Sequence, residues 1–249
     1  MSKSNLLICF PLWAASGAIA IMRMLAEQAE KNVAIAVKEV DEPDAITEGE
    51  YEDEGFDQYG NSYPFMRTYY SCGACVGYEA EDVKLEYIHL TTQLTRRSAF
   101  LTIFGLFEHR INDCLQFMIK LAEHAGEIKG KGPVERMHKL IRSAYGCKDI
   151  SDVDHLTKIR NIMVHNDAVA TDYIRIFNKK DKKNYSEKRL LNAVRRSEGI
   201  TVNEFNEVLM SEGFLIYSIN EFNRYISGLE ILINSYYHQK KSKEGSNDE

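Results

Sequence analysis

The feature that most constrains this chain is a long hydrophobic stripe near its middle. Positions 87, 90, 94, 97, 101, 104, 108, 111, 115, 118 and 122 advance by three and four residues in turn, and nine of the eleven are apolar. Residues three and four apart share one face of a helix, so the spacing predicts a single amphipathic helix over 83–125. Such a helix is about 65 Å long and must find other helices along its length; Gly105 is the place where it can bend. Arg97 and Glu108 fall on the stripe itself. A charge on a packed stripe needs a partner or a function.

Other helices follow from local signals. Pro133 fits a first helical position and Gly146 the position just past a helix end, framing Met137, Leu140, Ile141 and Tyr145. Ser151 or Asp152 is placed to cap the next helix, whose apolar residues are Val153, Leu156, Ile159 and Met163. A short basic helix is expected over Ser186–Arg196. Thr201-Val-Asn-Glu204 has the form of a capping box opening a last helix, with Phe205, Val208, Leu215, Ile219, Phe222, Ile226, Leu229 and Ile233 on one face. Residues 39–82 lack helical periodicity and hold Pro43 and Pro64. They read as an irregular insertion with a short hairpin around Phe65–Tyr70. The expected fold class is all-α: a bundle of four main helices over 83–238, preceded over 1–82 by an N-terminal helix and the acidic insertion, and followed by a polar tail over 239–249.

The formal net charge of −6 hides a strong segregation. Glu39–Asp57 holds ten acids and no Lys or Arg, which leaves +4 for the remainder. Arg175–Arg196 holds nine bases against two acids. Two solvated loops would account for this. So would an acidic arm beside a basic segment that binds a polyanion.

Ser4–Met22 carries no charge. Pro11, Ser16, Gly17 and several alanines dilute it, and it passes into the amphipathic pattern Ala18, Met22, Leu25, Ala29, Val33. A buried N-terminal helix is the favoured reading; a membrane anchor and a cleaved signal are the alternatives. The five cysteines are odd in number in a chain of 249 residues, which argues against a disulfide framework. Cys72-Gly-Ala-Cys75 has zinc-knuckle spacing, yet with His89 it reaches only three ligands, so no metal is expected.

The chemistry-bearing motif lies in the third bundle helix: Arg160-Asn161-Ile162-Met163-Val164-His165. Arg followed after four residues by His, with a polar residue directly after the Arg, resembles the signature of the HEPN superfamily. A long first helix with Phe100, Phe104, Phe107 and Glu108, a variable polar loop and a long apolar last helix extend the resemblance to residues 83–238. Residues 1–82 lie outside it.

The resemblance implies a metal-independent endoribonuclease of a prokaryotic defence or toxin–antitoxin system, cytoplasmic and without cofactor. It implies a homodimer whose two motifs form one composite site, with RNA as substrate and an antitoxin or sensor protein as partner. The residue types suit that chemistry. The 2′-OH of RNA can serve as nucleophile, so no metal-bound water is needed. Histidine exchanges protons near neutral pH, which suits His165 to acid–base work. Arg160 offers a planar, permanently charged fork to phosphate. Asn161, four residues before His165, can orient the imidazole or a phosphate oxygen. Arg160 and His165 are about 140° apart round a helix, which a composite site across a dimer axis would accommodate. Glu108 is a candidate to pair with Arg160 or hold His165; a structural pair with Arg97 is the alternative. Asn166 caps the helix end or lines the cleft. Lys179, Lys180, Lys182, Lys183 and Arg189 are the expected contacts to the RNA backbone. The alternative is a HEPN-like binding module without catalysis, for nucleic acid, nucleotide or a partner protein.

Overall fold

A computed structural model describes residues 9–147 and 152–245. The expected cap Ser151 and the first residues of the uncharged Ser4–Met22 run lie outside the described residues. The chain is predominantly helical. In order along the described chain are α1 (Phe10–Glu39), β1 (Thr47–Phe56), β2 (Ser62–Cys72), β3 (Cys75–Gly77), α2 (Ala80–Leu121), α3 (Pro133–Ala144), α4 (Asp154–His165), α5 (Tyr173–Asn178), α6 (Tyr185–Arg196), β4 (Ile200–Val202), β5 (Val208–Met210) and α7 (Phe214–Gly245). Two antiparallel sheets therefore correct the all-α expectation. The chain packs as two compact units, Glu27–Ser98 and the residues on either side of it. Helices α1 and α2 contribute to both.

In the larger unit, the second half of α2 meets α7 through aromatic rings. Phe107 stacks on Phe222 at 4.1 Å, Phe100 lies 4.9 Å from Phe214, and Phe104 lies 5.6 Å from Phe222. All five rings are fully buried, and each buried aromatic side chain stabilises the fold by about 2–3 kcal/mol. Helix α3 joins them: Arg136 donates to Asn112 on α2 at 2.9 Å, and the Tyr145 hydroxyl donates to the Met118 carbonyl at 2.9 Å. Pro133 opens α3 and Gly146, at φ +64°, follows its end, where only glycine adopts that backbone at little cost. Helix α4 buries His155, Leu156, Ile159, Ile162 and Met163, and α6 packs against α4.

Three local expectations need correction here. The α4 N-cap is Val153, although the Asp152 carboxylate does accept the Asp154 N–H at 3.2 Å. Helix α6 begins one residue early, at Tyr185, because Asn184 and Glu187 form a reciprocal capping box. Thr201–Glu204 opens no helix. Ile200–Val202 pairs with Val208–Met210 instead, with Ile200, Val208 and Met210 turned inward. Asn203 accepts the N–H groups of Phe205 and Glu207, and Asn206 takes φ +65°, so this sequence makes a turn rather than a helix start. Phe205 is exposed.

The smaller unit holds the other sheet, ordered β1-β2-β3. The expected irregular insertion is thus mostly strand. The reversal lies at Asp57–Asn61, and Phe65–Tyr70 is the middle of strand β2. Cys72 and Cys75 close the β2–β3 turn as free thiols and pack with Val40 and Val83 into a small core. The Arg96 guanidinium grips Glu30 with two donors, at 2.7 and 2.9 Å. Along α2 the stripe residues Phe104, Ile111, Leu115 and Met118 are buried, whereas Leu90 and Leu94 are exposed.

No helix among the described residues is long and apolar enough to cross a membrane. Ala18, Met22, Ala29 and Val33 of α1 are buried, as the pattern predicted.

Candidate functional site

Helix α4 carries the Arg-x4-His motif, and the residues around it decide what each motif side chain can do. Arg160 is held on the side of α2. Its guanidinium pairs with the Glu108 carboxylate, donates to Asn161 Oδ1 at 2.9 Å, and lies 5.2 Å above the Phe104 ring. Both charges are largely covered, with side-chain exposures of 25% for Arg160 and 19% for Glu108. The interruption of the α2 stripe at Glu108 therefore has its reason. The glutamate partners the motif arginine, beside the α3 N-terminus at Gly132. A cation over an aromatic face with a carboxylate at its fork is fixed from two directions.

His165 stands apart from that network. It is the last residue of α4 and is exposed, and among the described residues it makes no hydrogen bond or ion pair. The helix stays regular to its end, since the Asn166 N–H still bonds the Ile162 carbonyl at 3.1 Å. The angular separation of about 140° between Arg160 and His165 therefore holds within one chain. Asn161 spans part of that gap, about 100° from Arg160 and 40° from His165. The chain brings together Arg160, Asn161 and Glu108, and leaves His165 on another side of the helix.

The side of α4 nearest His165 faces a polar cleft. Lys158, Ile162 and Asn166, spaced four apart, form one wall, and His165 follows Lys158 by seven residues, almost the same angle round the helix. The opposite wall comes from Thr171, Arg175, Asn184 and Ser186; the cleft volume is about 290 Å³. Burial, and next the charge of Arg189, lower the Lys158 pKa. Lys158, Thr171, Asn184 and Ser186 are cleft residues that the sequence did not single out, whereas Arg175 opens the basic segment expected to meet a polyanion. The heptad spacing from Lys158 to His165 was the one available signal. Beyond His165 the chain turns sharply: Asp167 and Ala168 both take left-handed backbone, at φ +48° and +65°. The Ala168 N–H returns to the Ile162 carbonyl at 3.3 Å and its carbonyl accepts from Val208 at 2.8 Å, so this strained turn is tied to β5.

The expected backbone-binding residues divide into three groups. Lys179 is committed to Glu187 at 2.8 Å, and its ammonium is the main reason the Glu187 pKa is lowered. Lys183 donates to the Lys179 carbonyl at 2.6 Å. These two hold the α5–α6 loop together. Lys180 and Lys182 are exposed and make no ion pair among the described residues. Arg189 lines a second cleft of about 300 Å³ with Lys188, Arg196, Asp152, Asp154 and His155.

His155 is a histidine that the motif does not include. It is 3% exposed; its Nε2 lies 3.0 Å from the Tyr217 hydroxyl and 3.6 Å from Glu221. Burial, and then the charge of Arg196, hold its pKa down at about 4.

No three His, Cys, Asp or Glu side chains among the described residues gather as metal ligands. Compared with family models, with curated proteins and with solved structures, the chain matches none.

Proposed function

We propose that this chain is a HEPN-like, metal-independent endoribonuclease that works as a homodimer in the cytoplasm of a prokaryote, in a defence or toxin–antitoxin system. The observation that carries the reading is the division of labour along α4. Arg160 is oriented by Glu108, Asn161 and Phe104, while His165 stays exposed on the side of the Lys158–Asn166 cleft. A two-fold axis beside α4 would supply what one chain lacks, with the Arg160 of each copy serving the His165 of the other.

In such a site, one imidazole takes the proton of a ribose 2′-OH as that oxygen attacks the adjacent phosphorus. The second imidazole gives a proton to the departing 5′ oxygen. Arg160 stabilises the charge that gathers on the phosphoryl oxygens. Lys158, Arg175 and the exposed Lys180 and Lys182 hold neighbouring phosphates. The products are a 2′,3′-cyclic phosphate and a 5′-OH.

The test uses the full chain and its His165→Ala variant with RNA in EDTA. The expected result is cleavage by the native chain and a loss of at least about 100-fold in the variant, as for removal of a general acid–base group. Equal cleavage by both would remove His165 from the chemistry. Activity that EDTA abolishes would point to a metal instead.

A second reading has one observation of its own. The Arg160 fork is already filled by Glu108 and Asn161, as in a structural ion pair, which suits a HEPN-like module that binds without catalysis. RNA binding by the native chain, with no cleavage under any condition, would favour it.

A further inference from the structure

The sheet of the smaller unit has two different faces and an open edge. Strand β1 pairs with β2 alone among the described residues, so it ends the sheet. The Asp57 N–H bonds the Asn61 carbonyl at 3.0 Å, and this fixes the phase of the β1–β2 ladder. In an antiparallel pair, residues that exchange bonds alternate with residues whose backbone groups point away. The odd-numbered residues of β1 therefore bond to β2, and Glu48, Glu50, Glu52 and Glu54 turn their N–H and C=O groups to the open edge.

The side chains of these same four glutamates are all exposed on one face of the sheet, at a spacing of about 6.8 Å. None makes an ion pair among the described residues. The other face is aromatic. Tyr51, Tyr69, Val76, Gly77 and Tyr78 line a cleft of about 320 Å³ there. Tyr51 and Tyr78 share a hydrogen bond of 2.9 Å between their hydroxyls, and Tyr51 lies 6.2 Å from Tyr69 with the rings tilted by 54°. The Tyr69 and Tyr63 rings lie over Gly49 and Gly55, where a Cβ would come within 2.5 and 2.8 Å of the ring ends, so a larger residue at either position would push its tyrosine aside. Arg67, paired with Asp53 at 3.0 Å, lies 5.1 Å from the Tyr78 ring centre, so this face already holds a cation of its own.

We propose that β1 is a docking edge for an extended, basic segment of a partner protein, which adds to the sheet as a fourth strand. Charge chooses the occupant. Glu27–Ser98 carries sixteen acids against six bases. An added strand repeats every two residues, as the glutamates do, so alternate Lys or Arg side chains fall opposite them. The intervening side chains fall beside Tyr51, and apolar ones fit that face. The recognised sequence is thus an alternation of basic and apolar residues. This inference is independent of the motif on α4.

The test measures binding of a fluorescein-labelled peptide of alternating lysine and valine, seven residues long, to the full chain at low salt. A peptide of the same composition with its four lysines consecutive is the comparison. The alternating peptide should bind at least about tenfold tighter, and its affinity should fall with salt. Glu50→Lys with Glu52→Lys should weaken it by at least about tenfold, and Glu27→Lys, off the strand, by less than about twofold. Glu52→Pro removes an outward N–H while sparing the β1–β2 ladder, and should weaken binding about fivefold with the circular dichroism unchanged. Equal binding of the two peptides, or no effect of Glu52→Pro in a folded variant, would overturn the proposal, since charge alone would then account for the attraction. No binding of either peptide would overturn it too and leave the glutamates as a guard against edge pairing.

Discussion

The first and last turns of α4 each carry a histidine, and their surroundings make them different groups. His155 is buried where α4 meets α7. The Tyr217 hydroxyl donates to the Arg196 carbonyl, so it must accept from His155 Nε2–H. That assigns the neutral tautomer with the proton on Nε2. Nδ1 is then a bare acceptor, buried and unpartnered among the described residues. His165, ten residues later, has left the core and faces solvent. The contrast teaches that a helix does not decide the role of its imidazoles; the elements packed against each turn do. One end of α4 is a fixed, neutral strut, and the other is an exposed imidazole with no side-chain partner among the described residues.

The largest effect should come from breaking the strut. His155→Ala leaves a cavity and deprives the Tyr217 hydroxyl of its donor, so stability to urea should fall by about 2–4 kcal/mol. A loss below about 0.5 kcal/mol would mean that the first turn is no more anchored than the last.

Acid should reveal the same difference with nearly the same size. The folded chain holds His155 near 4, whereas an unfolded histidine titrates near 6.5. Between those values the unfolded chain binds the proton and the folded chain does not, so stability falls as pH falls through this window. The full loss is roughly 3 kcal/mol and is complete below the folded value. Burial also lowers His138, which adds in the same direction. His155→Gln, which keeps a donor for Tyr217 but does not titrate, should flatten most of the slope between pH 6.5 and 4.5. An unchanged slope would assign it to His138 instead.

A smaller effect is expected between the two ends, at the motif arginine. Glu108→Gln removes the charge partner of Arg160 while keeping the shape. Because both side chains keep some contact with water, the cost should be about 1–2 kcal/mol, well under that of a fully buried pair. Thermal unfolding of the variant at low and high salt measures it; a neutral substitution would show that Phe104 and Asn161 hold Arg160 without the Glu108 charge.

The helical part of this arrangement was legible because burial imposes a period. Phe104, Ile111, Leu115 and Met118 of the α2 stripe are buried, and so are the six predicted apolar residues of α7 from Leu215 to Ile233. The pairing of Glu108 with Arg160 was legible as one of three choices, beside His165 and Arg97, since a carboxylate on a packed stripe demands a cation. The sheet was hidden by its chemistry. Glu48, Glu50, Glu52 and Glu54 do alternate with period two, but an exposed acidic alternation resembles a solvated loop, and the tyrosines that cover Gly49 and Gly55 lie on a different strand. Thr201–Glu204 misled for a related reason. The box pattern is local, whereas the β4–β5 pairing that overrides it depends on Val208–Met210. Residues such as Lys158 and Arg175 become neighbours only through the packing of α4, α5 and α6, and no spacing along the chain announces that.

The smallest effect on stability should come from His165, and its smallness matters. The imidazole has no hydrogen bond or ion pair among the described residues and sits at a helix end whose bonds are made by the backbone of Ile162, Asn166 and Ala168. His165→Ala should therefore change the unfolding free energy by no more than about 0.5 kcal/mol. Helix propensity favours alanine slightly, and the exposed ring gives up little packing. If the variant instead lost more than about 1 kcal/mol, the imidazole would have a structural partner, and any loss of RNA cleavage could come from unfolding. With stability unchanged, a loss of cleavage must come from the chemistry or from a dimer surface. Sedimentation of the variant separates these two, because a catalytic imidazole can be removed without changing the mass of the assembly. The same measurement on His155→Gln closes the comparison: that variant should lose the pH dependence of its stability and keep its cleavage, whereas His165→Ala should do the reverse.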